Sequence, residues 1–212
     1  MFNYLIFDVD GTILDTEVAI LKSLQKVLAR EGEEYQIEEL RFALGIPGKE
    51  TLRRLNVTDV ERIHLKWANA VLEFSEEVNV FKGLEEIIKV LSNKPVKMGI
   101  VTSKTHQELK DEFDPFGLSS FFQYTINAND TEKHKPHPDP LLACLEGLGA
   151  TQRDAIYIGD SIYDMQCAKS AGVRFALALW GAKTVERFES ADYILKEPKD
   201  ILTLLTNKRL YE

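Results

Sequence analysis

The hydrophobic pattern of the chain alternates between short apolar runs and longer segments with helical periodicity. Four runs have the length and composition of buried strands, at residues 4–7, 96–101, 155–159 and 173–179. Between the later runs lie segments of about 10–15 residues with apolar positions three and four apart, which is typical of β-α-β units. The pattern therefore predicts an α/β fold whose core is a doubly wound, Rossmann-like parallel sheet.

Weaker signals extend this sheet. Residues 122–127 and 191–195 predict two further, shorter strands. Helices are needed between parallel strands, because a tight turn cannot connect them. The predicted core helices cover residues 83–92, 105–113, 139–148, 162–171 and 198–206.

Residues 16–79 break this alternation. Apolar residues recur at helical spacing from position 18 to position 28, and Gly32 ends that stripe. Further helical patterns follow, with no predicted strand among them, at residues 36–44, 49–55 and 58–78. The sequence thus predicts an inserted all-helical cap subdomain at residues 16–79 and an α/β core made of residues 1–15 and 80–212.

Charge and composition exclude some classes of partner. The formal net charge of −8 argues against nucleic acid or an anionic membrane surface, although a small anion can still bind a local cationic pocket. No apolar run approaches the roughly 20 residues of a membrane span, and the N-terminus lacks a secretory signal. With Cys144 and Cys167 expected as buried, reduced thiols, these features indicate a cytoplasmic protein, either a monomer or a homodimer.

Polar side chains follow three of the strong strands. Asp8 follows the first strand, Thr102 and Ser103 follow the second, and Asp160 follows the third. The carboxyl ends of parallel strands meet at one crevice, so these groups are expected to converge. Asp10 lies two residues after Asp8, so on an extended strand both carboxylates would face the same side. Such a cluster costs several kcal/mol unless positive charge compensates it.

Local explanations exist for the other polar residues near these strand ends. Ser161 and Asp164 have the spacing of an N-terminal capping box, which requires no function. Thr102 and Ser103 could satisfy backbone donors before a helix. The pair Asp8 and Asp10 has no such explanation.

Two positive groups could balance the carboxylates. Oxygen ligands without a nearby Cys or His favour Mg²⁺ over zinc. The second group is Lys135, because prolines at 136, 138 and 140 predict an extended, restrained segment around it. Asp139 and Pro140 are then the expected N-cap and first residue of the following helix.

Four segments resemble the motifs of haloacid dehalogenase-like hydrolases, in the same order and with similar spacing. They are DVDGT at 8–12, VTSK at 101–104, Lys135 in KPHPDP, and GDSIYD at 159–164. The resemblance covers the whole chain, including the small helical cap. Within the superfamily the chain looks most like the phosphoglycolate phosphatase-like subgroup.

This resemblance implies how the reaction would proceed. Asp8 would attack phosphorus and form an aspartyl-phosphate, and Asp10 would act as general acid and base. Mg²⁺ would be held by Asp8, the Asp10 carbonyl and Asp160. Asp164 would belong to the same metal site and orient either Lys135 or a water beside the metal.

The resemblance also implies a phosphate-binding set. Those residues are Gly11, Thr12, Thr102, Ser103 and Lys135. In the cap, Lys49 lies at a helix start after the turn at 45–49, where it could bind an anionic substrate tail.

The leading prediction is therefore a Mg²⁺-dependent phosphatase acting on a small phosphate monoester, such as phosphoglycolate. Pyrophosphate or nucleotide hydrolysis by the same site is an alternative, and Lys49 leaves phosphonatase chemistry open. Dehalogenation is disfavoured because Asp10 is present, and mutase activity because Ile20 stands where such mutases have a histidine. A phosphoacceptor signalling domain is the alternative that is not an enzyme.

Overall fold

A six-stranded parallel sheet forms the core of the computed structural model, which describes residues 1–206. The predicted assignment of residues 207–212 to the core lies outside this range. From one edge to the other, the strands of the sheet cover residues 124–126, 97–101, 4–7, 155–159, 174–178 and 193–195. The strands are β1 (Tyr4–Phe7), β4 (Lys97–Val101), β5 (Tyr124–Ile126), β6 (Ala155–Gly159), β7 (Arg174–Ala178) and β8 (Tyr193–Leu195), with β2 (Leu14–Asp15) and β3 (Asn79–Val80) pairing separately.

Helices cover both faces of the sheet and form the cap. In chain order they are α1 (Glu17–Arg30), α2 (Ile37–Leu40), α3 (Gly48–Arg54), α4 (Val60–Leu72), α5 (Leu84–Ser92), α6 (His106–Glu112), α7 (Asp139–Leu148), α8 (Ile162–Ala171) and α9 (Leu179–Ala182). Short 3-10 segments lie at 41–43, 75–77, 114–116, 119–121 and 198–205. The predicted doubly wound sheet with a helical cap is confirmed.

Alternation along the strands distributes their side chains between two hydrophobic clusters. Leu5 and Phe7 of β1 pack with α5 on one face, while Ile6 packs with α7 and α8 on the other. A third cluster holds the cap together, where α1 packs against α4 and the Trp67 indole donates a 3.0 Å hydrogen bond to Ser23 Oγ. The helices of residues 17–72 thus share a hydrophobic cluster distinct from the two clusters that flank the sheet.

Several predicted boundaries were wrong. The helix predicted at 36–44 divides into α2 and a 3-10 turn, and the one predicted at 58–78 ends at Leu72. Just after this end, Phe74 packs against the core cluster, and the Lys26 ammonium of α1 lies 5.6 Å from the centre of its ring. The helix predicted at 198–206 is a 3-10 helix over Pro198–Leu205. The first residue of α7 is Asp139, not Pro140, because Leu142 N already bonds the Pro138 carbonyl.

The two crossings between core and cap form a small antiparallel ribbon. Leu14 pairs with Val80, and Asp15 pairs with Asn79. The segments that enter and leave the cap run antiparallel side by side, so their backbone N–H and C=O groups can hydrogen-bond to each other. A pairing of two residues per strand is too short to show periodicity, so it could not be predicted from the hydrophobic pattern.

Within residues 1–206, no helix is long and apolar enough to cross a membrane. Both cysteines are free and buried, as the sequence predicted. Burial raises the pKa of the Cys144 thiol, and likewise that of Cys167, to about 12. Neither thiol carries appreciable thiolate at neutral pH.

We expect both thiols of the native protein to resist alkylation by iodoacetamide at about pH 8, because only the thiolate reacts and burial disfavours it. Peptide mass spectrometry measures the labelling at each cysteine. The same protein unfolded in urea is the positive control. Rapid labelling of native Cys144 or Cys167 would contradict their burial.

Candidate active site

Three carboxylates meet at the carboxyl ends of β1 and β6. Asp8 follows β1 directly, and its amide donates to the Ile158 carbonyl, extending the ladder by one residue. Asp160 follows β6, and Asp164 lies in the first turn of α8. One oxygen from each carboxylate lies within 4.8 Å of the others. The predicted convergence of Asp8 and Asp160 is therefore observed.

A buried lysine joins two of these carboxylates. Lys135 Nζ lies 2.9 Å from Asp8 Oδ1 and 2.8 Å from Asp164 Oδ1. Its third contact is the Tyr157 hydroxyl at 3.3 Å. These contacts satisfy the three donors of the ammonium, and the side chain is only 2% exposed. Lys135 is thus fixed in position, as a surface lysine would not be.

The segment that carries Lys135 is a turn and is not extended, contrary to the prediction. The amide of His137 donates to the His134 carbonyl at 2.9 Å and closes the turn, and the Lys135–Pro136 peptide is cis. The prolines restrain the segment as predicted, but in a folded shape. Lys135 points from this turn into the carboxylate cluster.

Asp164 combines both roles that the sequence suggested for it. Its Oδ2 accepts hydrogen bonds from the amide and the hydroxyl of Ser161, which completes the predicted capping box. Its Oδ1 accepts from Lys135 and from the Tyr157 hydroxyl at 2.9 Å. With both oxygens engaged, Asp164 holds the lysine rather than offering a free ligand atom.

Tyr157 is a site residue that sequence reasoning missed. It lies at the centre of β6, is fully buried, and its hydroxyl also lies 3.0 Å from the Val101 carbonyl. A tyrosine within a buried apolar strand was the available signal, because a buried phenol needs a polar partner.

The cluster carries more negative charge than Lys135 can neutralise. Burial, followed by the charge of Asp164, raises the pKa of Asp8 to about 8 even though Lys135 opposes the shift. Burial likewise raises the pKa of Asp160, with further contributions from Asp164 and Asp8. Burial alone would lower the pKa of Lys135, but Asp164 and Asp8 outweigh it and raise that pKa. A divalent cation would stabilise the fully ionised cluster.

The residues present fit such a cation. The donors are carboxylate oxygens held in one buried place, which is the ligand type of hard divalent metals. Lys135 and the Val9 amide, at 2.9 and 2.8 Å, hold Asp8 Oδ1 and so fix the orientation of this carboxylate. Asp8 and Asp160 are therefore the expected direct ligands, while Asp164 acts through Lys135.

A tight turn separates Asp10 from this cluster. After β1 the Val9 carbonyl accepts hydrogen bonds from the amides of residues 12, 13 and 14, so the chain folds back on itself. The prediction of an extended strand through Asp10 was therefore wrong, although Asp8 and Asp10 still line one cavity beneath the cap. Gly11 makes the turn possible, since its φ is +73° and a Cβ there would lie 2.1 Å from Asp160 Oδ2.

Asp10 pairs with a second buried lysine, which the sequence analysis overlooked. Lys104 Nζ lies 3.0 Å from Asp10 Oδ1 and 2.6 Å from Glu112 Oε2. Burial alone would lower the pKa of Lys104, but the charges of Asp10 and Glu112 raise it, so the ammonium persists. The signal was the lysine that ends the VTSK motif.

The predicted phosphate-binding residues surround the same crevice, with their hydroxyls engaged. Thr12 Oγ1 donates to Asp160 Oδ1 at 3.0 Å and so orients that carboxylate. Thr102 is buried, and its Oγ1 accepts from the Lys104 amide at 3.2 Å. Ser103 Oγ donates to the Gly45 carbonyl of the cap at 3.2 Å. Phosphate binding by these three residues stays a prediction.

A cavity of about 70 Å³ lies between Asp8, Asp10 and the cap. From the cap its walls include Ile20, Gly48, His64, Trp67 and Val71, and from the core they include Ser103, Lys104, Glu108 and Glu112. Lys49 does not line it; its ammonium pairs with Glu61 at 2.6 Å and its side chain is 39% exposed. The structure therefore gives no support to substrate binding by Lys49, although Gly48 of the same turn reaches the cavity.

Polar contacts hold the cap against the core, and three of them involve His64, Arg54 and Gly45 of the cap. His64 Nε2 lies 3.4 Å from Glu108 Oε1, and burial lowers the pKa of this imidazole despite the nearby carboxylate. Arg54 donates to the Tyr163 hydroxyl at 3.1 Å. The third contact is the hydrogen bond to Gly45 described above. His64 could not be predicted as a contact residue, because it lies within an ordinary amphipathic helix.

Comparison with known proteins agrees with this geometry. The family model described as haloacid dehalogenase-like hydrolase matches residues 5–178. The chain belongs to this family. The family predicted from the four motifs is confirmed, and with it the assignment as a hydrolase.

Relatives of this hydrolase have similar length. A candidate pyrophosphatase PpaX from Caldanaerobacter subterraneus is 32% identical over 94% of this chain and 93% of its own. The pyrophosphatase PpaX of Oceanobacillus iheyensis is 27% identical over 95% of both chains. A candidate phosphoglycolate phosphatase from Lactobacillus plantarum has a TM-score of 0.88 at 27% identity, covering 96% of this chain and 99% of its own.

We expect Mg²⁺ to raise the midpoint of thermal unfolding relative to EDTA, because it relieves the repulsion among the three carboxylates. Protons compete for carboxylates whose pKa is raised, so this stabilisation should grow from about pH 6 to about pH 8. Asp160→Asn should abolish most of it.

Asp111→Asn is the control, since that carboxylate is exposed and accepts hydrogen bonds from Gln107 in its own helix. Equal stabilisation of Asp160→Asn and the wild type would show that the cation binds elsewhere.

Proposed function

We propose that this hydrolase is a Mg²⁺-dependent phosphatase that acts on a small phosphorylated metabolite through an aspartyl-phosphate at Asp8. The observation that carries the proposal is the pairing of Asp8 Oδ1 with Lys135 at 2.9 Å, where Asp8 also lines the cavity between core and cap. The pairing fixes one carboxylate oxygen and leaves the other for attack. A cation and an ammonium beside it suit a dianionic phosphoryl group.

In the first half of the reaction, Asp8 Oδ2 attacks phosphorus and a new P–O bond forms. The P–O bond to the leaving group breaks, and its electron pair stays on the ester oxygen. Asp10 donates a proton to that oxygen, so a neutral alcohol departs. Asp10 suits this role because it lines the same cavity as Asp8 without belonging to the carboxylate cluster.

In the second half, Asp10 is ionised and accepts a proton from water as that water attacks phosphorus. Phosphate leaves and the Asp8 carboxylate is regenerated. The proximity of Asp10 to the acyl phosphate favours rapid hydrolysis, which distinguishes a phosphatase from a phosphoacceptor signalling domain. The cap excludes other water through its contacts at Gly45 and His64.

The bound metal would neutralise charge on the phosphoryl group, with Asp8 and Asp160 as its ligands. Thr12 would keep Asp160 oriented through its 3.0 Å hydrogen bond. Lys135, held by Asp164 and Tyr157, would stabilise the same charge from the other side. Thr102 and the Ser103 amide are proposed to hold the remaining phosphoryl oxygens.

The size of the cavity supports a compact leaving group. Its volume of about 70 Å³ is small beside that of the neighbouring cleft of about 360 Å³, which Asp10 and Asp160 line. A short monoester such as phosphoglycolate suits the smaller space. Pyrophosphate is the second candidate, because its leaving group is a single phosphate and because PpaX relatives are named for that substrate.

Asp8→Asn should lower kcat at least about 10³-fold for every phosphate ester, because the amide cannot act as nucleophile. Release of inorganic phosphate from a panel of short monoesters, pyrophosphate and p-nitrophenyl phosphate, with and without Mg²⁺, measures this. Asp111→Asn is the matched control, with the same loss of charge on the exposed face of α6. Activity that survives in Asp8→Asn would refute the proposed intermediate.

Ile20→Ala should shift the ratio of kcat/KM toward bulkier esters, because Ile20 is a cap wall of the cavity and is only partly buried. We expect about a tenfold shift between phosphoglycolate and a hexose phosphate, equivalent to ~1.4 kcal/mol of differential binding. Leu65→Ala is the control, since Leu65 lies on the exposed face of the cap. An unchanged ratio would place the leaving group outside this cavity.

A further inference from the structure

Lys104 is buried beside the reaction centre, although none of the roles derived above requires it. Its side chain is 7% exposed, and its two ion-pair partners within the described residues are Asp10 and Glu112. Burying an ammonium costs several kcal/mol unless its contacts are well made. Its geometry relative to Asp10 therefore needs an explanation.

Lys104 is held as firmly as Lys135. Its amide donates to Thr102 Oγ1 at 3.2 Å, and its carbonyl accepts from the Ala128 amide at 2.8 Å. Glu112 anchors the ammonium from α6 at 2.6 Å and is itself 8% exposed. The ammonium thus belongs to the rigid core and does not move with the cap.

The contact with Lys104 places the two carboxylate oxygens of Asp10 in different surroundings. Oδ1 is buried, has no hydrogen-bond partner among the described residues, and lies 3.0 Å from the Lys104 ammonium as an ion pair. The Asp10 side chain nevertheless remains 18% exposed, and Asp10 lines the cavity. Of its two oxygens, Oδ2 is therefore the one that can meet a substrate.

We propose that Lys104, anchored by Glu112, is a positioning residue that holds Asp10 Oδ1 so that Oδ2 faces the oxygen of the leaving group. This inference rests on the proposed function, in which Asp10 transfers the proton. The site then uses two lysines for two aspartates: Lys135 fixes Asp8 for attack, and Lys104 fixes Asp10 for proton transfer.

If Lys104 positions Asp10 for proton transfer, the effect of losing Lys104 on kcat/KM should depend on the leaving group. An alkoxide must be protonated as it departs, whereas 2,4-dinitrophenolate is stable without a proton. The parameter kcat/KM reports only the steps through the first irreversible one, here the transfer of phosphorus to Asp8. Loss of Lys104 should therefore lower kcat/KM for alkyl phosphates while leaving that for 2,4-dinitrophenyl phosphate nearly unchanged.

The experiment compares Lys104→Met with the wild type on phosphoglycolate, or the best alkyl ester of the panel, and on 2,4-dinitrophenyl phosphate. We expect a loss on the order of 10²-fold in kcat/KM for the alkyl ester and a change within about threefold for the aryl ester. With the aryl ester, the variant should also release a burst of dinitrophenolate, because Asp10 is then misplaced for attack by water. Glu112→Gln should change kcat/KM for each ester in the same direction as Lys104→Met, but by a smaller factor.

Lys110→Met is the control, since it removes an exposed lysine from the same helix as Glu112. Retained turnover of the aryl ester shows that the variant is folded, and if Lys104→Met does not fold, Glu112→Gln decides. Equal losses on both esters, or no loss on either, would overturn the positioning role. A wild type that cleaves neither ester would instead refute the proposed function.

Discussion

The mutual burial of Asp8, Lys135 and Asp164 is the interaction on which the rest of the structure depends. Each of these side chains is at most 3% exposed, and removing one partner of such a buried pair costs about 3–5 kcal/mol. The sheet meets this constraint because adjacent parallel strands bring Asp8 and Asp160 to one edge. Helix α8 then supplies Asp164 from its first turn, and a turn before α7 supplies Lys135.

The active site is divided between two lysines that the fold supplies from different places. Lys135 enters from the turn before α7, and Lys104 from the end of β4. The tight turn after β1 makes this division possible, since it directs Asp8 and Asp10 toward different partners. The cap then closes a small cavity over both aspartates through contacts with Ser103, Glu108 and Tyr163. In the proposed reaction, phosphoryl transfer, proton transfer and the choice of substrate size would thus depend on separate parts of the chain.

The sequence predicted the elements whose signals are local or periodic. Apolar runs marked the strands, and the four motifs marked the family, Asp8, Lys135 and Asp160. Tyr157 and Lys104 were missed because their partners lie on other strands and helices, at positions that only the folded chain brings near. The prediction of an extended strand through Asp10 was wrong because β1 ends at Phe7. Beyond it the chain turns, and three amides bond the Val9 carbonyl.

The proposed reaction depends most on transfer of the phosphoryl group to Asp8. Borohydride reduction of the enzyme, quenched by acid during turnover, converts an aspartyl-phosphate to homoserine, and peptide mass spectrometry then locates it. The account predicts homoserine at position 8 alone. Modification at another carboxylate, or none while phosphate is still released, would contradict it.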